Sequence, residues 1–334
     1  MKFNAVVGNP PYQIMDGGAQ ASAKPVYNCF VEQGKALKPN YLSMIMPARW
    51  YSGGKGLDGF REMMLNDTHL REIHDFISAS DCFSNVEIKG GVCYFLWDCN
   101  YLGDCVISAH ENGSLVSIMK RPLLEDESDV FIRDNQAVEI LRKVKKLSEP
   151  SFSSIVHPAM TFGFRTFYKS FDSTTQIPGT TKVYANHSQG YIFTNKIQKG
   201  KEYINKWKVY IPEAIGIGNT KTDVLNPILG EPNSISTETY IMNGPYLSEN
   251  EAKNAISYIN TKFFHFMLGL RKLTQHTTQK VYQFVPLQDF SSQSDINWNL
   301  ERSEVDRQLY KKYNLNDVEI KYIENIVHSE RKKG

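Results

Sequence analysis

A short apolar run, Phe3 to Gly8, passes directly into Asn9-Pro10-Pro11-Tyr12. Two consecutive prolines remove two backbone donors and restrict φ, so no helix and no interior strand continues through them. The run reads as a buried strand that stops at Gly8, with the turn at its carboxyl end. In open α/β sheets that is the end where ligands bind. The spacing downstream supplies the rest of such a sheet. Val26 to Leu37 repeats as a helix, Tyr41 to Met46 reads as a second buried strand closed by Pro47, and Leu57 to Leu65 is an amphipathic helix. Leu70 to Phe76 alternates as a strand, and Gly91 to Trp97 is a strand rich in aromatics. The pattern predicts an α/β sheet, mostly parallel at first. An amphipathic helix over 133–147 then leads to Glu149-Pro150-Ser151, which marks a domain boundary.

Past that boundary the character changes. Short aromatic strands at 162–168, 182–193, 207–211 and 239–242 lie among Gly, Asn, Thr and Ser turns. Helices follow at 249–269, 300–312 and 316–328, the last with Asn316 and Asp317 as cap residues. This is an α+β domain, and 334 residues leave room for two domains, 1–149 and 150–334. A chain that is 41% hydrophobic and 22% charged is an ordinary globular protein and not a disordered one. No apolar run approaches the roughly 20 residues of a membrane helix, and no basic-then-apolar leader opens the sequence. Cys29, Cys82, Cys93, Cys99 and Cys105 do not make a disulfide framework, so the expected location is cytoplasmic. Cys93, Cys99 and Cys105 lack paired zinc spacing, so no metal is expected. Residues 1–150 carry 16 Lys+Arg and 19 Asp+Glu, whereas 151–334 carry 22 and 17. The basic second half points weakly to a polyanionic partner.

The Asn-Pro-Pro-Tyr turn has a chemical logic for activating a planar amine. The side-chain carbonyl of Asn9 accepts one hydrogen bond from an exocyclic amino group, and the backbone carbonyl of Pro10 accepts the second. Two acceptors on one nitrogen draw its lone pair out of conjugation with the ring and make it nucleophilic. Pro10 and Pro11 hold the acceptors in place beforehand, and Tyr12 offers a flat face for stacking.

VVGNPPYQ resembles the catalytic motif of amino-methyltransferases that use S-adenosylmethionine. The continuation narrows the likeness. YLSMIMPARWYSGGKGLDGFREMMLND, LREIHDF and DCFSNVEIKGGVCYFLWD resemble later catalytic segments of gamma-type adenine-specific DNA methyltransferases. They are most similar to those of type II and IIG restriction–modification systems, in which methylase and specificity domain share a chain. ETYIMNGPYLSENEAKNAISYINTKFFHFML, VYQFVPLQDF and LYKKYNLNDVEIKYIENIV look like the target-recognition region of the same family. The resemblance implies a partial Rossmann-like methyltransferase sheet followed by an α+β target-recognition domain. It implies transfer of a methyl group from S-adenosylmethionine to adenine in double-stranded DNA. Asn9, Pro10, Pro11 and Tyr12 then act on an adenine flipped out of the duplex, and Phe83 aligns with a second aromatic that packs on the extruded base.

The same resemblance calls for a glycine-rich turn and an acidic residue upstream of Asn9, where eight residues stand. No residue is therefore assigned to the cofactor. Gly216-Ile217-Gly218 lacks the strand–helix setting, and Gly53-Gly54-Lys55-Gly56 reads as a loop that could touch phosphate. The expectation is a chain inactive alone: a split enzyme completed by a partner chain, a product begun at an internal methionine, or a recognition module without catalysis. Such a sheet leaves the strand at Phe3–Gly8 as an unpaired edge, which favours a partner chain or self-association. Glu87-Ile88-Lys89 and Glu319-Ile320-Lys321 echo a nuclease Glu-x-Lys, without an aspartate to complete it. For DNA contact, Arg271 and Lys272, flanked by His265 and His276, form a basic stretch with amide and hydroxyl side chains. Arg165, Lys169 and Lys280 are weaker members of that set.

Overall fold

The computed structural model describes residues 3–14, 24–83, 86, 88–214, 224–272 and 276–327. The chain divides into two units, Met1–Glu139 and Ile140–Gly334. The first runs β1 (Ala5–Gly8), β2 (Gln13–Ile14), β3 (Lys24–Pro25), α1 (Tyr27–Ala36), β4 (Tyr41–Pro47) and α2 (Asp58–Leu65). It continues with β5 (Leu70–Phe76), β6 (Val92–Asp98), β7 (Cys105–Glu111) and β8 (Ser114–Arg121). Six of these strands make one sheet in the order β1-β4-β6-β5-β7-β8.

The sheet is mixed, which corrects the mostly parallel arrangement expected. β1 pairs with β4 and β5 with β7 in parallel, while β6 runs antiparallel between β4 and β5. The reason lies in the connection from β5 to β6. A parallel return needs a helical crossover, and between Phe76 and Val92 the described residues form only the short 3-10 turn Ala79–Asp81. The hairpin of β7 and β8 is absent from the elements expected of the sequence. Its turn is Asn112-Gly113, both with positive φ (51° and 74°), the signature of a tight hairpin flanked by alternating residues.

One face of the sheet builds the core. Leu42, Met44 and Met46 of β4, Ile73 of β5 and Phe95 of β6 pack with Val31 of α1 and with Trp50, Phe60 and Met64. β1 lies at the edge of the sheet, and Val7 is 78% exposed there.

Helix α3 (Asn135–Lys145) carries the division between the units. The second unit contains β9 (Thr180–Ala185), β10 (Ser188–Phe193), β11 (Trp207–Pro212), β12 (Ile228–Gly230), β13 (Ser234–Ser236) and β14 (Tyr240–Tyr246). Two three-stranded sheets result, β10-β9-β13 and β12-β11-β14. Residues 162–168 are not a strand. Their aromatic alternation satisfies the core, but their backbone closes turns, Gly163 N to Met160 O and Tyr168 N to Arg165 O. The single helix expected over 249–269 is two, α4 (Glu249–Ile259) and α5 (Lys262–Gly269), because the Thr261 hydroxyl accepts from Phe264 N and starts a new helix. α6 (Arg302–Lys312) and α7 (Asp317–Ile326) follow, and Asn316 and Glu319 form a capping box on α7.

Candidate functional site

The parallel strands β1, β4 and β5 end on the same side of the sheet, and the turn stands there. Gly8 is the last residue of β1; Asn9 and Pro11 are exposed, Pro10 is buried and Tyr12 is half-buried. The turn is fastened on its far side. Val26 N donates to Tyr12 O at 3.2 Å, and the next two residues pair as β2 with β3. Asn9 is thus displayed at a strand end between two fixed points.

Tyr12 and Phe83, 71 positions apart in the sequence, meet edge to face with ring centroids 6.4 Å apart and planes at 66°. Burial pushes the Tyr12 phenol up to about 12, and the Cys82 and Cys93 thiols beside it push the same way. Its buried hydroxyl has no hydrogen-bond partner, and the same holds for Tyr27 Oη, Asn28 Oδ1 and Asp81 Oδ2. These residues follow β1 and β5 or open α1. Tyr12, Tyr27 and Tyr51 all lie near Cys93. Unsatisfied buried polar atoms are costly. Here they gather at the carboxyl ends of β1 and β5, the end at which open α/β sheets bind ligands.

Phe83 is positioned by the segment that joins β5 to β6. It packs with Phe76, Ala79, Val92 and Tyr94. Phe83 N donates to Ala79 O at 2.9 Å. The return of this segment is tied at Gly91, whose N donates to Ile88 O and whose O accepts from Ala48 N. Arg133 adds the strongest tie. Its Nε and Nη2 donate to Asp75 Oδ2 and Oδ1, both at 2.8 Å, and its Nη1 donates to Gly90 O at 2.7 Å. Asp75 is 1% exposed, so a charge-assisted fork holds the end of β5 to the return of the loop. Sequence reading misses both residues, since Asp75 and Arg133 are separated by three strands and pair only in three dimensions.

Other sequence candidates fall differently. Gly53–Gly56 runs through four positive φ angles, but Gly54 N is taken by Asp58 Oδ1 at 2.8 Å. Gly216 and Gly218 lie outside the described residues, as does Glu87. The described residues bring Tyr12 and Phe83 together edge to face, three positions past the exposed Asn9. They do not fit S-adenosylmethionine, because the one glycine-rich turn among them has spent its Gly54 amide on its own helix. A cavity of 320 Å³ lined by Leu65, Asp67, Leu70, Gly103, Asp104 and Leu123 lies at the start of β5, the other end from Phe76. Among the described residues no group of three or more His, Cys, Asp or Glu could hold a metal, and Glu319 is spent on the α7 cap. No described helix is long and apolar enough to cross a membrane.

In the second unit Arg165, Lys169, His276 and Lys280 are exposed. Arg165 touches Glu238 at 3.4 Å, and His276 Nδ1 lies 2.9 Å from Glu213 Oε1. Arg271 and Lys272 are buried at the end of α5, which removes them from the cations that face solvent. Helix packing, invisible in a run of basic letters, decides this.

Residues 1–83 match the model of the family described as Eco57I restriction-modification methylase. This segment is similar to restriction-modification methylase sequence. It begins at the strand that leads to Asn9 and ends at Phe83. Over 111 residues the chain is 39% identical to a Mycoplasma pneumoniae protein described as an uncharacterized adenine-specific methylase. That match covers 32% of this chain and 26% of the relative, so it spans about a quarter of the relative's length. Among solved structures, the type IIL restriction-modification enzyme MmeI in complex with DNA aligns at 10% identity and a TM-score of 0.47, over 96% of this chain and 56% of that one. The type IIG restriction endonuclease BpuSI aligns at 12% identity and a TM-score of 0.39, over 92% and 49%.

Proposed function

We propose that residues 1–149 are the later part of the catalytic domain of an adenine-specific DNA methyltransferase from a restriction–modification system. Residues 150–334 are its target-recognition domain. The observation that carries this reading is the Asn9–Tyr12 turn at the end of β1, inside the matched methylase segment, with Phe83 brought against Tyr12. In this reading the first unit is a partial Rossmann-like sheet and the partner is double-stranded DNA.

An adenine extruded from the duplex stacks on Tyr12, with the Phe83 ring packed at the edge of that stack. Asn9 Oδ1 and Pro10 O accept the two hydrogens of its exocyclic amine. That hydrogen bonding localises the lone pair on the nitrogen, which becomes the nucleophile without a separate general base. S-adenosylmethionine, held by a segment outside the described residues, would supply the methyl group, its sulfur leaving as a neutral thioether and the surplus proton of the amine passing to water. Pro11 keeps the two acceptors rigid, so the amine meets them already oriented. Arg165, Lys169, His276 and Lys280 supply exposed donors for phosphates and base edges.

The cofactor-binding segment comes from outside the described residues, as a partner chain or as further chain, and it pairs along β1. The support is that β1 is an edge strand with Val7 78% exposed. The test co-produces the chain with a segment that carries the glycine-rich motif, then follows labelled methyl transfer to duplex DNA. Methylation by the wild type and none by Asn9→Ala is the expected result. Methylation by neither makes the chain a recognition module without catalysis. Micromolar S-adenosylmethionine binding by the chain alone, read by calorimetry, overturns the need for the segment.

A further inference from the structure

The segment 160–173 of the second unit buries some aromatic side chains and displays another. Phe162 lies in a core cluster with Val183, Ile192 and Tyr210, and Phe164, Tyr168 and Phe171 pack against it. Phe164 and Tyr168 meet edge to face at 4.8 Å, and Tyr168 and Phe171 at 6.0 Å. Phe171 covers Gly190 so closely that a Cβ there would stand 2.5 Å from its ring. The backbone is tied as well. Glu238 N donates to Phe164 O at 2.8 Å, and Tyr168 N donates to Arg165 O at 3.0 Å, which closes a turn with Thr166 and Phe167 at its tip.

The residues between these anchors are open to solvent. Phe167 is 80% exposed, Arg165 is 63% exposed, and Lys169 is exposed. A phenyl ring presented at the tip of a tied turn, with a cation two positions to either side, is an exposed apolar point in a positively charged setting. The Lys199 side chain runs past Gly163 beneath the same segment. Asp172 is engaged by Lys196, and Glu238 only leans on Arg165 at 3.4 Å, a contact that a phosphate can replace.

We propose that Phe167 is a DNA-stacking wedge, inserted against a base step of duplex DNA while Arg165 and Lys169 hold the flanking phosphates. The proposal rests on the reading of this unit as a DNA-recognition domain. Apolar wedges that unstack a base step, and aromatic faces that take a base, need no sequence-specific hydrogen bond. Cations on both sides fix the register of the backbone. Charge complementarity favours a polyanion over a protein groove, which would accept the ring but has no use for both cations.

The test uses the full chain and a duplex of random sequence, followed by fluorescence anisotropy over a series of salt concentrations. Phe167 is exposed, so Phe167→Ala leaves the melting temperature unchanged and weakens binding about tenfold at constant salt slope. Arg165→Gln and Lys169→Gln each lower the slope by about 0.9. Phe167→Trp gives a direct reading, since the emission of the introduced indole is quenched when the ring stacks on bases. Wild type and Phe167→Ala binding equally, with the emission of the Phe167→Trp variant unmoved by DNA, overturns the wedge and leaves the DNA reading intact. A wild type that does not bind duplex overturns both. Tighter binding to single-stranded RNA, with the same loss in Phe167→Ala, moves the site to RNA and overturns the duplex proposal.

Discussion

Tyr12 and Phe83 stand edge to face, 6.4 Å between centroids, although one closes the turn after the first strand and the other lies in the loop after the fifth. Their meeting makes an aromatic corner at the carboxyl ends of the parallel strands, and the phenol of Tyr12 is raised to about 12 because that corner is partly closed to water. Phe83→Ala opens it. The expected result is a Tyr12 titration that falls from about 12 toward the ordinary 10.0, read as an ultraviolet difference against Tyr12→Phe. The loss of the ring pair lowers stability by about 1 kcal/mol. A Tyr12 titration unmoved by Phe83→Ala shows that the ring does not shield the phenol.

The return of the Phe83 loop depends on Gly91. Its φ is +78°, and a Cβ would lie 2.0 Å from Phe76 O. Gly90, its neighbour, also has positive φ but faces open space. Gly91→Ala should therefore cost more than about 3 kcal/mol, whereas Gly90→Ala costs about 1–2 kcal/mol of backbone strain alone. Urea unfolding of the two variants checks the difference, and equal costs would show that the approach to Phe76 O relaxes freely.

Breaking the Asp75–Arg133 pair leaves a charge in a site that is nearly closed on the Asp75 side. Asp75→Asn and Arg133→Met are each expected to lose about 3 kcal/mol. The double variant should lose less than the two losses added together, because neither charge is left unpaired. A double-mutant cycle with additive losses would show that the fork contributes no coupling.

Lys208 tests the second unit by pH. Its ammonium is buried, with Nζ donating to Ile204 O at 3.1 Å, Lys206 O at 2.7 Å and Glu231 O at 3.2 Å. Burial pulls its titration down to about 7, and the charge of Glu231 offsets only part of that. A folded value below the unfolded one, 10.5, means that the unfolded chain binds the extra proton between those pH values. Stability contributed by this site therefore rises as pH goes from about 7 toward 10 and is flat below 7. Relative to Lys208→Met, the wild type should gain melting temperature over that range. A constant difference between the two would mean that the three carbonyls keep the ammonium charged.

Much of the first unit is readable because its signals are local. The proline pair ends β1, the apolar run Tyr41 to Met46 and the alternation of Leu70–Phe76 mark strands, and in the second unit Asn316 and Asp317 announce α7. The misreadings have local causes too. Aromatic alternation over 162–168 resembles a strand because packing and pairing leave the same pattern of large and small residues. The hairpin at Asn112-Gly113 escapes the sequence reading although its turn residues declare it. Arg271 and Lys272 read as surface cations, and their burial follows from how α5 packs.

The sequence alone determined what the proposed chemistry draws on: carbonyl oxygens at Asn9 and Pro10, an aromatic face at Tyr12, and a strand to carry them. Covalent order is enough for that, since four consecutive residues and their backbone limits set the geometry. Tertiary structure alone decided what faces Tyr12 and what holds it there. Phe83, Asp75, Gly91 and Arg133 come together because β6 returns antiparallel between β4 and β5 and draws the intervening loop back over the strand ends. Contacts between residues so far apart in the chain are settled by sheet order and by which carbonyls and charges must be satisfied, and no short stretch of sequence encodes those.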